Sequence, residues 1–317
     1  MNFPYHMKNI SPFIYVWLII IAITTSCKKN APPSKIKTTD IYVAGEINGK
    51  ATYWKNGIAE TLSDSSSNAG IITSSGNDIY IAGSILNTKG TYNAVYWKNG
   101  AVNHLGPGQA YGIAVQDGNV YVAGTVVDIN GNDQAAFWKN GKLTILGPGH
   151  AYELFLSGDD TYIAGEGIDT NNGLLAVYWK NGEEVSYGQG IAAAITMNGN
   201  DLYVAGYSLD TACYWKNGNK VSISDYADIY DIKVYGTDVY LAGDKGIAPI
   251  AAIWKNGSLT QLNAGRSAFG IALSGNDLYI AGYSIHVALL WKNGNAITLA
   301  TGNQGLTGAT SVIAVTH

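Results

Sequence analysis

The tetrapeptide Trp-Lys-Asn-Gly occurs seven times in this chain, with its tryptophans at Trp54, Trp97, Trp138, Trp179, Trp215, Trp254 and Trp291. The separations are 43, 41, 41, 36, 39 and 37 residues. Such a period means that one supersecondary unit is copied along the chain, each copy too small to bury its own apolar surface. Seven units account for nearly all of the 317 residues and leave no room for a second domain.

The unit that begins at Gly112 shows what is copied. Gly112-Ile113-Ala114-Val115 is followed by a turn at Asp117-Gly118-Asn119, then by Val120-Tyr121-Val122-Ala123-Gly124. A polar loop runs to Asp133, and Ala135 to Lys139 leads through Asn140-Gly141 into Lys142-Leu143-Thr144-Ile145-Leu146. Asn-Gly between two apolar runs is a strong hairpin signal, because a type I′ turn needs positive φ at both central residues. The runs are near-continuously apolar, which predicts sheets covered on both faces. No stretch after the amino-terminal region has helical periodicity.

The pattern therefore predicts an all-β fold, a seven-bladed β-propeller of four-stranded antiparallel blades spanning residues 40–317. A Tyr strand recurs at Tyr42, Tyr80, Tyr121, Tyr162, Tyr203, Tyr240 and Tyr279. The strand before it is expected at Ile71, Ile113, Leu154, Ile191, Ile232, Ile271 and Val312. The last copy has nothing after it and the first Tyr strand has nothing before it. The carboxyl-terminal strand Ser311-Val312-Ile313-Ala314-Val315 is thus expected to close the first blade and remove two exposed edges. The recurring Trp and Tyr rings are expected to form the core between blades.

Residues 1–26 read as an export signal, with Lys8 in the charged region and an apolar run from Phe13 to Ile23 that is too short to span a bilayer. Thr24-Thr25-Ser26-Cys27 resembles the lipobox of bacterial lipoproteins, which implies removal of residues 1–26 and a lipidated Cys27 that attaches the protein to the membrane. An ordinary secretory signal followed by an incidental cysteine is the alternative. Residues 27–39, basic and proline-containing, read as a flexible tether. The localisation expected is the bacterial cell envelope, as an outer membrane lipoprotein. The only other cysteine, Cys213, takes a strand position and reads as a small buried hydrophobe.

Ala136-Phe137-Trp138-Lys139-Asn140-Gly141, with Leu143, Leu146-Gly147 and Ala164-Gly165, is similar to the HAF-type extracellular repeat. That resemblance covers residues from about 40 onward and implies an extracytoplasmic propeller with no assigned activity. No sialidase-type Asp box, quinoprotein docking motif, Gly-His…Trp-Asp pairing or kelch double-glycine step is present.

Loops in such a fold alternate between two faces. The Asn-Gly and Gly-Asn-Asp turns share the tight one; Ser84 to Asn93, Thr125 to Gln134, Glu166 to Gly173 and the segments around Pro107, Gly149, Tyr187, Tyr226 and Arg266 share the variable one. From residue 40 onward 14 basic residues face 23 acidic ones, and seven of the 14 are the hairpin lysines. A lysine ring on the tight face, turned toward anionic lipid, is one expectation; plain solubilisation of exposed hairpins is the other. The acidic balance excludes a nucleic-acid partner, and a monomer is expected.

Ligands favour the mouth where variable loops converge. Tyr111, Tyr152, Tyr230 and Phe269 share one position ahead of the first strand of their units, and the next position reads as Gly in four units but as Glu153 and Asp231 in two. These six residues are the candidate binding site for a glycan, a peptide or an envelope protein, making the chain a binding or scaffold module. Glu153 and Asp231 as the acid/base pair of a glycan-active enzyme is the competing reading, and a purely structural repeat protein is the third. His104 and His150 have no metal-like spacing. Asp128 to Asp133 and Asp169 to Gly173 lack the distal glutamate of a calcium loop. No cofactor, catalytic elbow or phosphate loop is expected.

Overall fold

The computed structural model describes residues 38–317 except 210 and 304. The expected signal, Cys27 and all but the end of the tether lie outside the described residues. The described chain is all β, with 26 strands and no helix. The strand Thr39–Ile47 opens it and Gly308–Thr316 ends it.

The third unit shows how the sequence produces the local structure. The strands Gln109–Gln116, Asn119–Val127 and Asp133–Lys139 pair antiparallel in order, and the last pairs with the first half of Lys142–Ser157. All seven Asn-Gly turns have φ of 49–53° at Asn and 80–89° at Gly, as the type I′ geometry demands. The asparagine also clips the hairpin to the second strand. Asn256 accepts from Val239 N through Oδ1 at 2.9 Å, donates through Nδ2 to Asp238 at 2.8 Å, and its backbone N donates to Val239 O at 2.9 Å. The same clip recurs at Asn56, Asn99, Asn181, Asn217 and Asn293, and at Asn140 with Asn119 in place of the aspartate. Asn256→Ala is expected to cost about 2–3 kcal/mol, from a lost left-handed turn residue and two lost hydrogen bonds. Urea unfolding measures it; a cost below about 0.5 kcal/mol would show the clip to be incidental.

The hairpin lysines are not a set of free charges. Six of the seven lysines pair with the aspartate of the same clip at 2.7–3.0 Å, as Lys98 does with Asp78. All seven ammonium groups lie 5.0–5.4 Å from the centre of the ring of the Tyr strand. With matched charges, the electrostatic reason for this face to seek anionic lipid is largely removed.

The sheets differ from the seven separate ones expected. Five hydrogen-bonded sheets are present, four of four strands and one of ten. The ten-stranded sheet arises because Lys142–Ser157 and Glu183–Asn198, each 16 residues long, finish one unit and start the next without a break. Glycines with φ of 88–145° at Gly147, Gly149, Gly188 and Gly190 let these strands turn while pairing continues. His150, Gly149 and Tyr187 therefore stand in strands, as does His104, and not in loops. Counting the two long strands once in each unit they serve, every unit holds four strands.

The core lies between units. Each apolar cluster joins one unit to the next: Trp97, Ile72 and Ile81 of the second pack with Tyr42, Ala44 and Ala51 of the first. Another cluster joins the two ends of the chain, with Trp54, Val43 and Val312 against Ala281, Tyr279 and Leu290. The seven tryptophans are 0–3% exposed. Glycine after the Ala of the Tyr strand follows from that packing. A Cβ at Gly83 would stand 2.6 Å from the Trp97 ring and 2.1 Å from Asn68 O. Gly308–Thr316 pairs antiparallel with Thr39–Ile47, Val312 opposite Val43.

Two expected first-strand positions are corrected by the register. Ile72 and Ile195, not Ile71 and Ile191, take the buried place opposite Ile81 and Val204 that Ile113, Leu154, Ile232 and Ile271 take in their own units. In the second unit the register skips two residues between Ala69 and Ile72; in the fifth, two isoleucines four apart compete and the nearer to the tight face wins.

Candidate functional site

Every first strand is bulged at the same place. The register shift leaves Tyr111, Tyr152, Ala193, Tyr230, Phe269 and Thr310 unpaired in six units, and Gly70 with Ile71 in the other. A bulge re-aims a side chain out of the alternation of its strand. These bulges all open into one cavity of 720 Å³, lined by residues of all seven first strands.

The order of units around that cavity makes it a slot. Tyr111 and Tyr152, from neighbouring units, form one wall with ring centres 5.8 Å apart; Tyr230 and Phe269 form the other at 4.8 Å. Ala193 leaves a gap between the walls on one side, and Gly70 with Thr310 leaves another on the opposite side. The four aromatic positions expected from sequence are thus brought together.

The walls are braced from behind. His150 stacks on Tyr152 at 6.0 Å and 10°, while its Nδ1 lies 2.8 Å from Thr125 Oγ1 and its Nε2 lies 3.5 Å from Glu166 and 3.6 Å from Asp133. Tyr230 donates to Asp244 Oδ2 at 3.1 Å, and Ser267 donates to the same oxygen at 2.6 Å. Phe269 stacks on Tyr283 at 5.6 Å and 2°. Burial, then the neighbouring carboxylates Glu166 and Asp244, raises the pKa of the Tyr152 and Tyr230 phenols, which stay neutral donors. Burial also raises the carboxyl of Asp244, and pushes that of Glu46, at the matching place in the first unit, up to about 7.

Glu153 and Asp231 meet, with a lysine between them that the sequence reading missed. Lys233 Nζ lies 2.7 Å from Asp231 Oδ1 and 3.1 Å from Glu153 Oε1. The other oxygen of each carboxylate accepts a backbone hydrogen bond from the next unit: Glu153 Oε2 from Ile195 N at 2.9 Å, Asp231 Oδ2 from Ile271 N at 2.7 Å. Both carboxylates are therefore engaged at both oxygens, as expected of groups that tie first strands together. Burial pushes the Glu153 carboxyl up to about 7, against the pull of Lys233 and with the push of Asp231. Burial opposes the charge on Lys233, but the two carboxylates more than offset it and hold its pKa above the usual lysine value.

The register also corrects the expected glycine position. Opposite the Ala of the Tyr strand, where Glu153 and Asp231 stand, glycine appears only at Gly112 and Gly270 among the assigned pairs, with Ala194 and Ser311 in two other units. A Cβ at Gly112 would come within 2.6 Å of Tyr152 O, so neighbouring first strands approach there backbone to backbone.

Lys233 was legible as a partner, two residues from Asp231 and so on the same face of the strand. Glu166 and Asp244 follow Ala-Gly in the Tyr strand and were legible as repeat breaks. The remaining candidates are structural. Asp128 Oδ1 accepts from Asn130 N and Asn132 N, and Asp169 Oδ1 from Asn171 N and Gly173 N, at 2.7–2.9 Å, which is turn chemistry. Among the described residues no group of three or more His, Cys, Asp or Glu is placed to hold a metal ion. Cys213 is fully buried, and burial pushes its thiol up to about 11.

No family model and no curated protein sequence matches the chain. Among solved structures, it is similar to a puromycin hydrolase, at 12% identity and a TM-score of 0.55, over 85% of this chain and 53% of that one. It is also similar to an acylaminoacyl peptidase of Pyrococcus horikoshii, at 15% identity and a TM-score of 0.51, over 83% and 50%. The chain thus spans about half the length of both. A further likeness, to the β-propeller domain of the Trilobed protease of Pyrococcus furiosus, has 11% identity and a TM-score of 0.49 over 84% of this chain and 95% of that one. At these identities the likeness is one of fold.

Proposed function

We propose that this chain is a seven-bladed β-propeller whose C-terminal strand closes the first blade, attached to the bacterial envelope by a lipidated Cys27, and that it is a binding module working through the axial cavity. Four-strand units with their core between them, and a cluster shared by the first and last units, support the ring. The observation that carries the binding reading is the set of seven bulges that open into one cavity, four of them aromatic. A repeat protein with only a structural role has no need to break its repeat with large rings facing a void of 720 Å³.

The ligand belongs to the chemistry of the envelope: a glycan, a peptide or a segment of another envelope protein. An acid/base enzyme built on Glu153 and Asp231 is less well supported, because Lys233 and two backbone amides occupy their oxygens. The likenesses to a puromycin hydrolase and a peptidase cover about half of each of those proteins and are likenesses of fold.

The test is capture from envelope extract with the full chain and with Ala193→Trp, which fills the gap between the walls with an indole. Ala193 lines the cavity and is only partly buried, so the fold is expected to tolerate the change. Partners retained by the parent chain and lost by a normally melting Ala193→Trp variant place binding in the cavity. Equal retention by both overturns the assignment.

A further inference from the structure

We infer that the ligand of the axial cavity carries an organic cation, an amine or quaternary ammonium group on a short apolar stem, held between the two aromatic walls. This rests on the cavity being the binding site, as proposed above, and goes beyond it by naming the chemistry that the site selects.

Three observations converge. The first is shape: the slot is lined by the four rings of Tyr111, Tyr152, Tyr230 and Phe269, with apolar Val115, Leu156 and Ile313 in the same lining. Aromatic faces attract cations through the ring quadrupole, and more strongly where water is excluded. The second is charge. The ionisable carboxylates among the lining residues are Asp228, Glu153 and Asp231, while the sole basic lining residue, Lys233, is shared by the last two. The lining is thus net negative before a ligand enters, which disfavours an anionic sugar or phosphate and favours a cation.

The third is how the walls are wired. Tyr230 gives its hydroxyl proton to Asp244, itself 6% exposed, and Tyr152 lies against Glu166, 7% exposed. A phenol that donates to a carboxylate is polarised toward its ring, which deepens the negative face offered to a cation. Lys245 is turned to the carbonyl of Asp225, outside the cavity lining. A neutral sugar would profit from the same walls, but it gains nothing from buried carboxylates placed behind them.

Choline chloride and its neutral isostere 3,3-dimethyl-1-butanol test the inference directly, by calorimetry on the full chain. Choline is expected to bind saturably and at least about tenfold more tightly than the alcohol. Tyr230→Leu is expected to lose that preference. Tyr230→Phe keeps the ring but releases Asp244, and is expected to lose a smaller part of it. Thermal melts identify any variant that has merely unfolded, and Tyr111→Leu then serves as the independent wall variant. Equal binding of choline and the alcohol, or binding of maltose with no binding of choline, overturns the cation while leaving the cavity as the site. Choline binding that survives Ala193→Trp places the cation elsewhere and overturns the inference as well.

Discussion

A chain ended at Leu306 is expected to lose cooperative folding at 37 °C. The missing strand Gly308–Thr316 forms eight register pairs with Thr39–Ile47 and supplies the buried Ala309 and Val312. Removing it uncovers Val43 and Trp54, which share a cluster with Ala281 and Leu290 of the last unit. Thr310 Oγ1 lies 2.9–3.1 Å from the carbonyl oxygens of Ala44, Ala69 and Gly70, so the same strand joins the first unit to the second as well as to the seventh. Full burial of a valine is worth roughly 1.5–3 kcal/mol, and a whole strand with its hydrogen bonds is worth several times that. The total stability of a domain is only about 5–15 kcal/mol. Circular dichroism melts measure the effect, and a synthetic peptide of residues 308–317 added in trans is expected to restore part of the transition. Val312→Ala is the graded companion, expected to cost about 2 kcal/mol. A truncated chain that melts like the full one would mean that the fold does not depend on its last strand.

How much of this was legible in the sequence depends on the range over which each residue acts. Asn140-Gly141 acts on its own four residues, and its turn follows from steric exclusion alone. The burial of Trp138 was legible from the repeat, because a ring that returns at the same place in every unit must face the neighbouring unit. The partner of each hairpin lysine was not. Asp78 stands 20 residues before Lys98, and only the register Tyr80 opposite Lys98 brings the two together. The continuity of Lys142–Ser157 was also hidden, since Gly147-Pro148-Gly149 reads as a loop unless the positive φ of its glycines is known to keep pairing intact.

The site was legible where it broke the repeat and hidden where it depended on the bulges. Tyr111, Tyr152, Tyr230 and Phe269 stood out as a shared position, although nothing in the sequence says that a one-residue slip turns all of them into one void. The bulges also bear on Ile71, which falls within the two residues skipped between Ala69 and Ile72, and on Ile191, which lies before the slip at Ala193 while the buried Ile195 lies after it. A strand alternates with period two, and an unrecognised bulge moves every later residue to the opposite face. The tie made by Glu153 and Asp231 was hidden for another reason. The donors to their oxygens are Ile195 N and Ile271 N of the next unit and Lys233, which shares a unit with Asp231 but not with Glu153, and a carboxylate that breaks a repeat looks the same whether it faces a ligand or fastens two strands.

Lys233→Met separates those two roles and is expected to cost about 3–5 kcal/mol at pH 8, because two carboxylates 8% and 13% exposed are left facing each other without a counter-ion. The sign of its pH dependence follows from Glu153. Its carboxyl sits at about 7 in the folded protein even with Lys233 beside it, against an ordinary value of 4.5, and loss of the ammonium raises it further. A carboxyl raised by folding stabilises the fold below its unfolded pKa, and that contribution is lost as pH rises through the folded value. The gap in melting temperature between the variant and the parent chain should therefore change little below about pH 6 and widen as pH rises through about 7 toward pH 8. Changing Glu153 to Gln and Asp231 to Asn in the same chain keeps an acceptor for Ile195 N and Ile271 N while removing the repulsion, and is expected to recover most of the loss at pH 8. A gap that does not change with pH, or a triple variant no more stable than Lys233→Met alone, would mean that Lys233 acts through the packing of its stem, and the charged tie between first strands would have to be given up.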